Sequence, residues 1–317
     1  MKKVFKLLSL LLVIAMFATA CGNKNNSKNN GADNKTAVED NKNTKDDKLV
    51  VYATVYPLYD FAKEIGKDKL DVHLMIPNGQ EPHDWEPGSD DIKNLDTADM
   101  FIYNGANLES WADKVIESLD NRQLVTVKAT EGVKLEDITE DGKKMVDPHT
   151  WLDPKNAIIE AKNITDALVT RDPQNAEFYS TNFEELSKKL KQLDYDYSTQ
   201  LGNVKNHVIV VSHEAYGYLC KDYGLTQIGI EGVNAETEPD AKTMAQIVDL
   251  VRKDHIKVIF TEDIVDPKVA STIANEAGVK TEFLNPLESL TDQEIKDHDN
   301  YVTIMQQNLK KLVEALN

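Results

Sequence analysis

Between Pro173 and Leu201, apolar residues fall at Tyr179, Phe183, Leu186, Leu190, Leu193, Tyr197 and Leu201. Steps of three and four place all of them on one face of a helix. Asp172-Pro173 supplies a start signal and Gly202 a stop. At 1.5 Å per residue such a helix is about 43 Å long. It divides the rest of the chain into two halves, and a helix joining two bodies is a stiff strut, allowing less relative movement than two or three flexible crossover strands would.

Each half alternates short β-rich runs with amphipathic helical patterns. Residues 49–54, 70–76, 100–103 and 124–127 read as strands before the strut, with a helical stretch over 108–119. Residues 207–211, 226–230, 258–260 and 279–284 read as strands after it, with helices over 239–255 and 267–277 and a last helix ending the chain. This order predicts an α/β fold of two lobes, each a parallel sheet flanked by helices. The expected boundaries are 49–171 for the N-terminal lobe, 172–203 for the linking helix and 204–317 for the C-terminal lobe.

The first twenty residues read as an export signal. Lys2, Lys3 and Lys6 precede Leu7 to Phe17, an apolar run broken only by Ser9. As a helix that run spans about 17 Å, too short for a ~30 Å hydrocarbon core. Ala18-Thr19-Ala20-Cys21-Gly22 then resembles a bacterial lipoprotein cleavage site, in which Cys21 becomes the acylated first residue, although Ala18 stands where leucine is commoner. Residues 22–48 hold eight Asn and six Lys with only Ala32, Ala37 and Val38 as apolar members. Such a segment buries too little surface to offset its ordering entropy, so 21–48 is expected to be a lipid-anchored, disordered tether.

The formal charge of −18 becomes more negative once the three signal lysines are removed. That balance argues against nucleic acid and suits cationic ligands. Cys21 and Cys220 are the two cysteines. With Cys21 acylated no internal disulfide is possible, and Cys220 reads as a packed core thiol.

Among seven histidines, two share a local pattern. Glu81-Pro82-His83-Asp84-Trp85 and Asp147-Pro148-His149-Thr150-Trp151 are both acid-Pro-His-x-Trp, each followed closely by a proline, Pro87 or Pro154. Proline fixes its own φ and extends the residue before it, so each histidine is held in a defined loop. The adjacent acid can accept the imidazole's second N–H, as metal-site histidines require. His213, in Val210-Val211-Ser212-His213-Glu214, stands where an apolar strand gives way to a helix, the end of a strand at which open α/β sheets place ligands. Glu288 follows the last strand in Asn285-Pro286-Leu287-Glu288-Ser289. Two candidates come from each half, which allows them to converge between the lobes.

These motifs resemble those of the zinc- and manganese-specific solute-binding lipoproteins of bacterial ABC importers. The resemblance spans the body: Tyr56-Pro57-Leu58, residues 81–88, Asn104-Gly105, Leu108-Glu109-Ser110-Trp111, residues 147–154, residues 212–218, the strut and residues 285–289. It implies two α/β lobes joined by a long helix, one metal in the interlobe cleft, and His83, His149, His213 and Glu288 as its ligands. It also implies delivery to an ABC permease by a protein anchored outside the cytoplasmic membrane, here expected to act as a monomer. In manganese-type members the third ligand is usually a carboxylate; His213 resembles the zinc type. The histidine-rich loop of many zinc-type members has no counterpart in residues 131–146, and no extra C-terminal metal-binding domain is expected. Three imidazoles and a carboxylate independently suit tetrahedral Zn²⁺ better than Mn²⁺, which prefers oxygen-rich, higher-coordinate sites.

Three other readings stay open. A manganese transporter component or surface adhesin is one. A secreted zinc hydrolase is another, although His-Glu-x-x-His is absent: Glu214 follows His213, but Gly217 stands where the second histidine would be. In the third, a carboxylate from Glu262, Asp263 and Asp266 replaces Glu288, against their plainer reading as solvated or helix-capping groups.

Overall fold

The computed structural model describes residues 48–140, 142–233 and 239–317. The export signal, Cys21 and residues 21–47 of the expected tether lie outside the described residues. In the first half, β1 (Leu49–Ala53), α1 (Tyr56–Gly66), β2 (Leu70–Leu74), α2 (Ser89–Leu95), β3 (Met100–Tyr103), α3 (Ala112–Ser118) and β4 (Val125–Lys128) alternate. A hairpin of β5 (Asp137–Glu140) and β6 (Lys143–Val146) follows, then α4 (Pro154–Arg171) and the long α5 (Ala176–Leu201). The second half runs β7 (Val208–Val211), α6 (Gly217–Tyr223), β8 (Thr226–Gly229), α7 (Ala241–Lys253), β9 (Val258–Thr261) and α8 (Lys268–Ala277). It ends with β10 (Lys280–Phe283), α9 (Asp292–Lys296) and α10 (Tyr301–Leu316).

The two four-stranded sheets are wholly parallel, ordered β2-β1-β3-β4 and β10-β9-β7-β8. Counted from its own first strand, each sheet has the same order, 2-1-3-4, so the halves repeat one topology. β1, β3, β7 and β9 are apolar runs because helices cover both faces of their sheets. Val51, Phe101, Val210 and Ile259 are at most 1 % exposed.

Capping sets several helix limits. Asp153 accepts the Lys155 N–H at 3.0 Å just before Pro154, Asp240 accepts the Thr243 N–H at 2.7 Å, and Asn300 accepts the Thr303 N–H at 3.0 Å. Gly224 and Gly278 end α6 and α8 at φ 71° and 80°, a conformation that costs glycine little.

The strut begins later than Pro173. Residues 173–175 form a 3₁₀ turn, and α5 covers 26 residues, about 39 Å. The Asp172 carboxylate accepts from Asn175 Nδ2 at 2.6 Å and Tyr179 Oη at 2.8 Å, tightening the reversal out of α4. Tyr179, Leu186, Leu190, Leu193, Tyr197 and Leu201 are all buried, the expected stripe. α5 packs against α1, α4 and α10. Asn182 Nδ2 donates to Ile65 O at 2.8 Å and Tyr197 Oη to Met305 O at 2.8 Å, so the one helix is fastened to elements of both halves.

Two more expectations need correction. The helix read over 108–119 is confined to 112–118, because Ala106 and Asn107 take positive φ and the Glu109 carboxylate accepts the N–H groups of Asn104 and Gly105 at 2.9 Å each. Residues 131–146, for which no strand was expected, contain the antiparallel β5–β6 hairpin. Cys220 is a buried free thiol on α6 whose pKa burial pushes up, as a packed core residue requires.

Candidate metal centre

The structure brings His83, His149, His213 and Glu288 together, with one ligand atom from each lying within 4.8 Å of all the others. His83 Nε2 is 3.2 Å from His149 Nε2 and 3.3 Å from Glu288 Oε1, and His149 Nε2 is 2.9 Å from Glu288 Oε1. His213 Nδ1 is 3.9 Å from Glu288 Oε2. Four donors held about 2.1 Å from a tetrahedral zinc ion are about 3.4 Å apart, so the cluster has the dimensions of such a shell. The side chains are 4 % exposed or less.

Each donor sits where a strand gives out. His83 lies in the loop after β2, its backbone N–H donating to Glu81 Oε1 at 3.1 Å. His149 follows β6, and Asp147 Oδ1 takes both its backbone N–H (3.0 Å) and its ring Nδ1–H (2.8 Å), leaving the Nε2 lone pair turned toward the cluster. Asn104 Nδ2 donates to Pro148 O at 2.9 Å, so the β3 end fixes the same turn. His213 follows β7 with the opposite tautomer. Its Nε2–H donates to Val233 O at 2.6 Å, while Nδ1 is buried without a hydrogen-bond partner. A buried, orphaned imidazole nitrogen facing three other donors is what a cation would satisfy.

Glu288 stands after β10 in a turn held open by Leu287 at φ 64°. Asn285 Oδ1 accepts the Leu287 N–H at 2.6 Å, and the Asn285 amide donates to Glu294 at 2.9 Å. The turn also reaches the first half: Gly79 N donates to Ser289 Oγ at 2.7 Å and Leu290 N to Asn78 Oδ1 at 3.2 Å.

The repeated tryptophans diverge. Trp151 is fully buried and its indole N–H donates to Pro286 O at 2.8 Å, joining the His149 turn to the Glu288 turn. Trp85 packs edge-on against Trp111, ring centroids 5.4 Å apart. The paired acids diverge too: Asp147 holds the ring of its histidine, whereas Glu81 lies 4.0 Å from His83 Nε2 and holds only the backbone.

Glu262 is the residue that sequence reasoning misread. It is neither solvated nor capping; its carboxylate is buried, with Oε1 3.3 Å from His213 Nδ1 and Oε2 without a partner. Its position directly after the apolar strand β9 was the signal. Glu262 approaches His213, whereas Glu288 approaches all three imidazoles. Asp263 is exposed, and Asp266 Oδ1 accepts the Lys268 N–H at 3.0 Å, at the start of α8.

Burial is the largest influence on all four donors and opposes charge on each. For His83 it wins, and the imidazole is held below its ordinary value. For His149 it is outweighed by hydrogen bonds to Asp147 and Glu288, which raise the ring's pKa. His213 is pushed up to about 10, because Glu262 and Glu288 overcome burial. Glu288 is held well below the usual carboxylate range, its burial outweighed by His213, His149 and His83. A divalent ion binding among these groups competes with protons for the imidazole nitrogens.

The family described as zinc-uptake complex component A, periplasmic (ZnuA) matches residues 51–315. The high-affinity zinc uptake system protein ZnuA of Bacillus subtilis is 39 % identical over 326 residues, covering 98 % of this chain and 98 % of that protein. The zinc-binding lipoprotein AdcA of Streptococcus pneumoniae is 35 % identical over 326 residues; these are 99 % of this chain but 61 % of AdcA. The chain thus spans about three fifths of that longer relative. The crystal structure of the zinc-bound ZnuA-like domain of the pneumococcal AdcA superposes with a TM-score of 0.75 at 37 % identity, over 85 % of this chain and 99 % of that domain. The laminin-binding protein Lmb of Streptococcus agalactiae, described as bifunctional with adhesin and metal transporting activity, superposes with a TM-score of 0.78 at 32 % identity, over 85 % of this chain and 100 % of Lmb.

Proposed function

The chain belongs to the ZnuA family of zinc-uptake components, and from that premise we propose that it captures Zn²⁺ outside the cytoplasm and hands it to the permease of an ABC importer. The observation that carries this reading is the convergence of three imidazoles and one carboxylate within 4.8 Å. A zinc ion there is cargo. His83 and His149 offer it Nε2, His213 offers Nδ1, and Glu288 supplies the negative charge that half-neutralises it. The set is nitrogen-rich and four-membered, which favours Zn²⁺ over Mn²⁺. A full set of four donors supplies roughly 10 kcal/mol or more of binding, enough to scavenge a scarce ion.

Binding to membrane and partner follows from the sequence. Residues 1–20 act as the export signal, Cys21 carries the lipid, and residues 21–48 tether the body. Residues 49–171 and 204–317 are the lobes, and 172–203 the link. Among the described residues no helix is long and apolar enough to cross a membrane. The protein acts as a monomer, and the role is transport rather than catalysis.

Calorimetric titration tests the reading: one zinc per chain is expected, and zero or two counts against it. The likeness to Lmb makes an adhesin role the second reading. Replacing all four donors separates the two, since adhesion that survives the loss of metal binding would be a separate activity.

A further inference from the structure

Asp147 fixes the tautomer and direction of His149, and something must in turn fix Asp147. Its Oδ1 is committed to His149 Nδ1 and N. Its other features are enclosed by the first turn of α6, an element of the C-terminal half. Tyr218 Oη donates to Asp147 O at 2.8 Å and accepts the Glu136 N–H at 3.1 Å, so one hydroxyl joins both sides of the β5–β6 hairpin base. Gly217 lies directly over the carboxylate: a Cβ there would stand 2.5 Å from Asp147 Oδ2, closer than real Cβ contacts come. Gly217 has no positive φ to explain it, so close approach is what glycine supplies at this position. Around this contact Lys221 pairs with Glu136, and Lys155 Nζ lies 2.8 Å from Asp222 Oδ2, fastening the next turn of α6 to the same side of the N-terminal half.

We propose that Gly217 and Tyr218 are positioning residues for zinc capture, holding Asp147 where its carboxylate aims His149 although neither touches the metal. This rests on the reading of His149 as a zinc ligand. Its consequence is a link between lobe contact and affinity. His213 and Gly217 are four residues apart on the connection from β7 into α6, so the segment that presents a ligand from one lobe also clamps the support of a ligand from the other. Parting that contact removes His213 and loosens His149 together, which gives release a steeper dependence on lobe separation than the loss of one ligand.

The test is zinc affinity, by competition with a chromophoric chelator, for the wild type, Gly217→Ala, Tyr218→Phe, Asp147→Ala and the double variant Asp147→Ala/Gly217→Ala. Loss of an orienting partner of a metal-bound histidine costs about 10- to 100-fold in affinity, so Asp147→Ala should fall in that range and Gly217→Ala should weaken binding by roughly tenfold. Tyr218→Phe keeps the ring packing and should weaken it by at least about threefold. In the Asp147→Ala background Gly217→Ala should add nothing, because the two act through one contact; a merely structural glycine would add its full effect. Dissociation constants within twofold of wild type for Gly217→Ala and Tyr218→Phe overturn the proposal, as does full additivity. If Gly217→Ala does not fold, Tyr218→Phe decides alone. A wild type that binds no zinc would instead remove the functional reading itself.

Discussion

Replacing Glu288 with Gln keeps the size of the side chain and an oxygen near its present place, but removes the one formal charge among the four donors. Structural zinc sites yield about 10–16 kcal/mol over four ligands, so an equal share is about 3 kcal/mol. That share corresponds to roughly a hundredfold in dissociation constant. It is a lower bound here, since Glu288 meets all three imidazoles at 2.9 to 3.9 Å and supplies all of the charge. The matching perturbation is Glu262→Gln. Glu262 Oε1 lies 3.3 Å from His213 Nδ1, and a group that supports one ligand is worth about tenfold at the low end. Chelator competition at fixed pH and ionic strength reads both constants, and cobalt substitution reads the coordination number from the visible absorption. Glu288→Gln should be the weaker binder by about a decade. The reverse order, or a Glu288→Gln constant within threefold of wild type, would refute the assignment of Glu288 as the ligand carboxylate and transfer that role to Glu262.

His149→Ala should raise the zinc dissociation constant at least about tenfold, measured by the same competition; no change would remove His149 from the site. Affinity should fall as pH falls, because zinc displaces protons, and the fall should begin well above the ordinary imidazole value of about 6.5, since Glu262 and Glu288 push His213 up to about 10. Each proton displaced contributes up to tenfold per pH unit, and a flat titration from pH 7.5 to 5.5 would contradict the site. Glu160 is wholly buried and burial pushes it up to about 7, with Thr150 Oγ1 donating to it at 2.6 Å. Its folded value exceeds its unfolded one, so its contribution to stability is complete below about 4.5 and is lost as pH rises through about 7, a change of roughly 3 kcal/mol. Zinc-free Glu160→Gln should therefore melt higher than wild type at pH 8, with the gap closing by pH 5. Stripping zinc with a chelator should lower the melting temperature by roughly 10 °C, since ligand at a thousand times its dissociation constant contributes about 4 kcal/mol.

The elements that sequence reading located best are those whose burial is one-sided in pattern or total. The central strands β1, β3, β7 and β9 are short apolar runs because helices cover both faces, and the α5 stripe is periodic because only one face is covered. α4 was not among the helices read from the sequence, for a physical reason: its buried positions include Ala157, Ala161, Glu160 and Thr165 beside Ile164 and Leu168. Close packing against α5 asks for small residues there, and small residues carry little periodic signal. The β5–β6 hairpin is largely charged, and only Asp141-Gly142, a two-residue hairpin signal, announced it.

The four side chains that cluster were legible because loops rigidified by proline and strand ends are local features. What each donor presents to the cation is not local. The choice of Nδ1 on His213 is made by Val233 O, twenty residues away, and the choice of Nε2 on His149 by Asp147, itself bracketed by Tyr218 seventy-one residues on. Glu262 looked like one member of a solvated acidic run because Asp263 and Asp266 stand close to it in sequence, and those two are indeed exposed. Only the parallel pairing of β9 with β7 brings its carboxylate to the end of the strand that carries His213. The candidate donors are thus written in residue type and spacing, while what orients each of them is written in contacts across the fold. Two chains sharing the three histidines and the glutamate can therefore differ widely in zinc affinity if Gly217, Tyr218 or Glu262 differs between them.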